Sequence, residues 1–195
     1  MKKIIFFTLI GFFLIAGCKK DHTICDTFTE LTDHNHLIDI SALSAAPELL
    51  DTLAKYPGLQ VYKIINDQYT IGMHCNVFYQ GIKIFTDNYS LYKRKNGNSI
   101  EGWDTIPMNI NISFTPLIKI EQAIDIARRT LDYGSTCISY RLGISDLNAG
   151  TSFQPKNYKL MWRIQGENGL PWVELDANSG QVYRKDDGVR YIVLG

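Results

Sequence analysis

One pattern of apolar residues occurs twice in this chain and limits the fold more than any other feature. Each copy opens with a short amphipathic helix, predicted over Pro47–Ala54 in the first copy and from Ile120 to Leu131 in the second. Strand-like runs joined by short turns follow each helix. A sheet of this size needs its apolar face covered, and an amphipathic helix laid across it does that. The sequence therefore predicts an α+β fold of two tandem units, each a helix on an antiparallel meander.

Turn signals set the limits of the predicted strands. Asn66-Asp67, Gln80-Gly81 and Asn178-Ser179-Gly180 form short turns, and Gly134 ends the second helix. The predicted strands of the first copy are Leu59–Ile65, Tyr69–Tyr79 and Ile82–Lys93. Those of the second copy are Cys137–Ile144, Tyr158–Gln165, Pro171–Asp176 and Gln181–Lys185. Both copies therefore have the same order of elements.

The N-terminus has the composition of an export signal. Lys2 and Lys3 precede the apolar run 4–15, which is shorter than the ~20 residues of a membrane-spanning helix. The run ends in Leu-Ile-Ala-Gly-Cys at residues 14–18, which resembles a bacterial lipobox. The resemblance implies cleavage before Cys18 and a thioether between its sulfur and a diacylglycerol. A secretory signal cut elsewhere is the alternative.

The residues after Cys18 bear on location and charge. Lys19-Lys20-Asp21 lacks an Asp directly after the lipidated cysteine, so we expect a lipid-anchored envelope protein on the outer membrane. Removing the leader leaves 18 basic against 20 acidic residues, a net charge of −2. A nucleic-acid partner requires a basic stripe, so no nucleic-acid partner is predicted.

Composition divides the chain into five segments. Residues 1–17 form the signal peptide and 18–43 a polar tether. Residues 44–96 form the first helix-and-meander unit, 97–116 a connector rich in Asn, Gly, Ser and Pro, and 117–195 the second unit.

The cysteines allow a disulfide without fixing one. Once Cys18 is lipidated, Cys25, Cys75 and Cys137 remain, and no pair has C-x-x-C spacing. An exported location permits a disulfide, but an odd count leaves a thiol free. Since Cys75 and Cys137 lie in apolar runs, the sequence predicts that both are buried, inert thiols. The pairing stays open.

The sequence contains no catalytic constellation. His74 and Cys75 are the one adjacent base and nucleophile, but neighbours in a strand point to opposite faces. We therefore predict no enzyme, no cofactor and no metal. The remaining metal candidates are interpreted as a solvated tether or as turn caps: His34 and His36 beside Asp33 and Asp39, and Asp176, Asp186 and Asp187.

Two stretches of the second copy resemble a PepSY domain. They are the helix Ile-Glu-Gln-Ala-Ile-Asp-Ile-Ala at 120–127 and the hairpin Trp-Val-Glu-Leu-Asp-Ala-Asn-Ser-Gly-Gln-Val at 172–182, with Trp-Arg-Ile at 162–164 between them. The first copy, at 76–85, is similar to the fungalysin/thermolysin propeptide domain, which directly precedes PepSY in thermolysin-like proenzymes. No H-E-x-x-H zinc motif is present.

The resemblance implies a propeptide-like binding protein that restrains a secreted or envelope peptidase. Within such a protein, strand alternation predicts that Trp172, Met161 and Arg163 lie on the sheet face that the helix leaves open. These three residues are the predicted partner-binding surface, although packing of Trp172 against the rest of the chain is an equal alternative. A structural lipoprotein of the envelope and a small-ligand carrier are the other functions considered.

Overall fold

The structure is a computed structural model that describes residues 28–31, 38–97, 99–103, 106, 107, 109–133, 137–150 and 154–188. Its helices are α1 (Pro47–Lys55) and α2 (Ile120–Thr130), with 3-10 helices at Ile40–Ala45 and Glu167–Gly169. The strands of the first half are β1 (Thr29–Glu30), β2 (Leu59–Asn66), β3 (Thr70–Tyr79), β4 (Ile82–Arg94) and β5 (Ile100–Trp103). Those of the second half are β6 (Ser139–Asp146), β7 (Tyr158–Gln165), β8 (Trp172–Asp176) and β9 (Val182–Asp186). The predicted α+β class is confirmed.

The nine strands of the described residues form one sheet in the order β2-β3-β4-β6-β7-β8-β9, with β5 beside β4 and β1 beside β6. Neighbours are antiparallel except at two places, where β6 runs parallel to β4 and to β1. The β4–β6 junction rests on a single pair, Ile84 with Ile144. Side chains reinforce it, because Thr86 Oγ1 accepts from the Asp146 amide at 2.8 Å and Asp87 accepts from the Tyr158 hydroxyl at 2.8 Å.

Both helices cover the same face of the sheet. The 3-10 helix and α1 pack on a cluster that includes Met73 and Cys75 of β3. Helix α2 packs on a second cluster that includes Val77 of the same strand. Since residues two apart in a strand point to one face, Cys75 and Val77 place α1 and α2 side by side on that face.

The ends of α2 follow helix chemistry. The Gln122 side chain accepts a hydrogen bond from the Lys119 amide at 3.1 Å, which satisfies one donor at the start of the helix. Glu121 lies in the first turn and Arg128 in the last, where each charge suits the helix dipole. Ala123 and Ala127 are fully buried, so their small side chains let the helix lie close to the sheet.

Two stretches assigned to the tether and one assigned to the connector belong to the folded part. Thr29–Glu30 pairs with β6, and Leu43 in the 3-10 helix is fully buried. In the connector, Ile100–Trp103 forms β5 against β4. These segments are too short to show a period in the sequence, and their pairing depends on distant strands. Gly134 and the leader lie outside the described residues.

Candidate functional site

The face of the sheet opposite α1 and α2 is the candidate site, and we call it the open face. Its central residues are paired across three strands, with Arg163 opposite Glu174 on β8 and Glu174 opposite Arg184 on β9. Their neighbours Ile164 and Val173 point into the core beneath α2, so these three side chains point away from the helices. Within the described part of the chain, no helix packs on this face.

Glu174 is a fully buried carboxylate at the centre of the open face. Its Oε1 accepts from Nε of Arg163 at 2.9 Å and also from Nη2 of that residue. Its Oε2 accepts from the Ser145 hydroxyl at 3.1 Å and lies 3.6 Å from Nη1 of Arg184. A buried charge requires this degree of pairing, so Glu174 holds both arginines in place from below.

Two aromatic rings flank the Arg163 guanidinium. Its carbon lies 4.2 Å from the ring centre of Phe85 and 5.4 Å from that of Trp172, within the range of a cation–π contact. Phe85 can reach this position because its ring lies on Gly143, where a Cβ would come within 2.2 Å of Cζ of the ring. The side chain of Arg163 keeps 29% of its surface exposed, so this pre-organised cation faces solvent.

A second ion pair lies beside this cluster. Lys159 Nζ donates to Asp176 Oδ2 at 2.8 Å and to the Tyr183 hydroxyl at 2.9 Å, and the hydrogen bond to Asp176 is the main reason that the pKa of Lys159 is raised. Burial alone would raise the pKa of Asp176. The bonds from Lys159 and from the amides of Asn178 and Ser179 outweigh it, and the pKa is lowered. Asp176 therefore caps its own turn, as predicted.

The first half of the open face carries a histidine cluster that the sequence did not suggest. His74 Nδ1 lies 2.7 Å from Ser90 Oγ, and Nε2 lies 3.1 Å from the Tyr92 hydroxyl. The imidazole stacks on Tyr62 with 5.9 Å between ring centres. The cluster exists because the β3–β4 register pairs His74 with Ser90, a contact between distant residues that no local motif records.

The chemistry of the His74 cluster is limited. A histidine beside a serine hydroxyl is the first requirement for a nucleophilic site, and an orienting group for the histidine is the second. Among the described residues, the groups around the imidazole are hydroxyls and aromatic rings, and none of them is a carboxylate. Cys75 points to the opposite face and is fully buried, which confirms that it does not pair with His74.

The predicted partner-binding residues all lie on the open face, but they differ in access. Trp172 is half-buried, and Arg163 is partly exposed between the two rings. Met161 is fully buried, so it is not available to contact a partner, contrary to the prediction. It lies in β7 opposite Gly143.

The two cysteines that were predicted to be inert thiols have different chemical states in the structure. Cys75 is a free, buried thiol, and burial raises its pKa to about 12. Cys137 is disulfide-bonded, so the prediction for that residue is wrong. Local spacing does not indicate this bond, because Cys137 precedes the point where a distant segment, β1, joins β6. Cys18, Cys25, Asp33, His34 and His36 lie outside the described residues.

The open face also has a cavity of about 350 Å³. It is lined by Ile65, Asp67, Thr70, Tyr92, Arg94 and Glu101.

Within the ranges that the structure covers, no group of three or more His, Cys, Asp or Glu residues could hold a metal ion. In the same ranges, none of the helices has the length and apolar character needed to cross a membrane.

Comparison with known proteins finds similarity to solved structures. No protein-family model matches the chain, and no curated protein matches it. Among solved structures, it is similar to the Bacillus megaterium YpeB C-terminal domain with a TM-score of 0.40 and 14% sequence identity. That similarity covers 76% of this chain and 65% of the other, so the chain spans less than two thirds of the length of the protein it matches.

Proposed function

We propose that this protein is a non-catalytic, lipid-anchored protein of the bacterial envelope that binds a protein partner through its open face. The observation that carries the proposal is the placement of α1 and α2 on one face of a continuous sheet. An antiparallel sheet with only one covered face leaves the other for solvent or for a partner. The proposal assigns the first half of this sheet to the propeptide-like unit and the second half to the PepSY-like unit that the sequence resembles.

The composition of the open face supports a protein partner. Aromatic residues and arginine are enriched at the centres of protein interfaces, and this face presents Trp172 and Arg163 in one half and Tyr62 in the other. Tyr62 keeps 45% of its surface exposed. Arg163 is already fixed by Glu174 and by two rings, so binding would cost it little conformational entropy.

The partner that we propose is a secreted or envelope peptidase, which the resemblance to propeptides suggests. In a proenzyme, covalent fusion keeps the propeptide beside its enzyme. Here the lipid on Cys18 would confine the binding module to one membrane surface and raise its effective concentration there.

Inhibition can be tested directly. The mature protein is incubated with a panel of secreted metallopeptidases, and cleavage of a peptide substrate is followed. We expect at least one peptidase to slow at micromolar inhibitor, and Tyr62→Ala to weaken the effect. Tyr69→Ala is the matched control, because Tyr69 is an exposed tyrosine in the β2–β3 turn. Unchanged rates across the panel would reject the peptidase partner.

Anchoring and binding are tested independently. Cys18→Ser should release the protein from the membrane fraction, and a variant that stays anchored would rule out the lipobox interpretation. Copurification from native membranes, with Tyr62→Ala beside wild type, identifies an envelope partner if the peptidase panel is negative.

A small-ligand carrier is a second candidate, supported by the cavity beside Tyr92 and Arg94. Its volume of about 350 Å³ is within the range of small-molecule sites. A metabolite that raises the melting temperature of wild type but not of Arg94→Ala would favour this function. A flat screen would count against it.

A further inference from the structure

We infer that Cys137 forms its disulfide with Cys25, and that this bond joins the folded part of the chain to the membrane by a short tether. The chain has four cysteines, at positions 18, 25, 75 and 137. Cys75 is a free thiol, and Cys137 is disulfide-bonded. Within one chain, elimination leaves Cys18 or Cys25 as the partner.

The parallel pairing of β1 with β6 favours Cys25. Thr29 is opposite Ser139, and parallel strands start at the same end of the sheet. Cys137 lies two residues before Ser139, and Cys25 lies four residues before Thr29. Both cysteines therefore precede, in the sequence, strands that start at the same end of the sheet and lie about 5 Å apart. A straight continuation of this register would put position 27 opposite Cys137 and leave Cys25 two residues, about 7 Å, further along the chain. A disulfide needs Cα atoms within about 7 Å, so the pairing requires the chain before β1 to bend toward Cys137.

Several contacts hold β1 beside β6. The Leu31 amide donates to the Tyr140 carbonyl at 2.7 Å, and Nε of Arg141 donates to the Leu31 carbonyl at 2.7 Å. The Arg128 guanidinium carbon lies 5.2 Å from the Phe28 ring centre. A two-residue strand has little stability by itself, and a covalent bond close to it in the chain would explain why β1 stays on the sheet.

Chemistry also distinguishes Cys25 from Cys18 as the partner of Cys137. A sulfur in a thioether cannot form a disulfide, so lipidation of Cys18 leaves Cys25 as the partner. This step rests on the proposed anchor. Cys25 is seven positions after Cys18, and seven residues of extended chain span at most about 25 Å. The bond would therefore hold the β1–β6 end of the sheet within about 25 Å of the lipid.

The pairing is tested by mass spectrometry of the exported full chain. Protein from the membrane fraction is denatured, alkylated with N-ethylmaleimide and digested with trypsin. We expect peptide 21–55 linked to peptide 130–141, and alkylation of Cys75 in peptide 64–83. Cys25→Ser should make Cys137 alkylatable, whereas the control Cys75→Ser should leave the link intact. Alkylation of Cys137 in the wild type would overturn the pairing.

Cys18→Ser separates this inference from the proposed anchor. We expect the link to persist while the protein leaves the membrane fraction. Loss of the link in this variant would make Cys18 the partner and overturn both ideas. A persistent link in a protein that stays on the membrane would overturn the anchor, and the tether with it, but not the pairing.

The tether is tested by cutting the chain after β1. A site for a specific protease is inserted between residues 34 and 35, and washed membranes are treated with that protease. We expect the folded part to stay on the membrane until dithiothreitol is added, because the disulfide still joins it to the anchor. In the Cys25→Ser background the cut alone should release it. Release of the wild-type protein without reductant would overturn the tether.

Discussion

Single residues on the open face are constrained more strongly than their surface position suggests. Glu174 is fully buried on the open face, and its negative charge is compensated by Arg163, Arg184 and the Ser145 hydroxyl. Removing one partner of such a pair leaves an uncompensated charge, which costs several kcal/mol. Tests of binding on this face therefore require Tyr62, which is exposed, rather than the arginines.

Gly143→Ala should destabilise the protein and disturb the arginine cluster. The new Cβ would come within 2.2 Å of the Phe85 ring, so the ring must move away from Arg163. Overpacking of this kind costs about 1–3 kcal/mol, measured as a lower urea midpoint. Gly97→Ala is the control, because its Cβ would make an ordinary contact 3.5 Å from Arg94. Equal midpoints for the two variants would contradict the prediction.

Asp176→Asn should reduce the pH dependence of stability. The pKa of Asp176 is lowered in the folded state, below about 3.9 in the unfolded chain. Its contribution is therefore fully present above that value and is lost as the pH falls through the folded pKa. We expect the variant to be less stable than wild type at pH 7 and the difference to shrink at pH 3. Asp125→Asn removes an exposed charge as the control, and urea midpoints give the measurement.

Helix α2 shows how one element is fitted to the sheet. Its apolar spacing predicts the buried side correctly, with Ala123, Ile124 and Ala127 all buried. β7, Tyr158–Gln165, agrees with its predicted bounds residue for residue, because its alternation is regular. β5 was missed, since its four residues lie in a connector rich in polar residues and become a strand only by pairing with β4.

Ala127→Leu should destabilise the protein by about 1–3 kcal/mol, because a larger side chain would separate α2 from the sheet. Asp125→Leu is the control, since Asp125 is exposed on the same helix and the change should be nearly neutral. Thermal unfolding measures both. A stable Ala127→Leu variant would show that α2 has room to move.

At the scale of the whole molecule, β4 joins the two halves. It pairs with β3 and β5 in one part and with β6 in the other, so one strand belongs to both clusters of apolar residues. Leu59 and Tyr89 contact both clusters as well. A substitution that destabilises one half should therefore also destabilise the other.

Ile124→Ala should lower hydrogen-exchange protection in both halves. The variant truncates a buried side chain of α2 itself, at a cost of about 2–5 kcal/mol. If the sheet unfolds as one unit, amides of β3 in the first half lose protection together with those of β7. Asp125→Ala serves as the exposed control on the same helix. Unchanged protection of β3 would show that the halves unfold separately.

The sequence by itself determined the local structure of this protein. Apolar spacing located α1 and α2, and turn residues such as Gln80-Gly81 and Gly180 located the hairpins, because both signals depend on neighbours within a few positions. Alternation also placed Trp172 and Arg163 on the face away from α2. None of this required knowledge of distant contacts.

Only the tertiary structure decided how these elements combine. It joined the strands into one sheet, placed α1 and α2 on the same face and buried Met161. It also brought His74 to Ser90 and seated β1 beside β6. Each of these features depends on strand register between residues far apart in the chain, and local pattern carries no information about register across such distances.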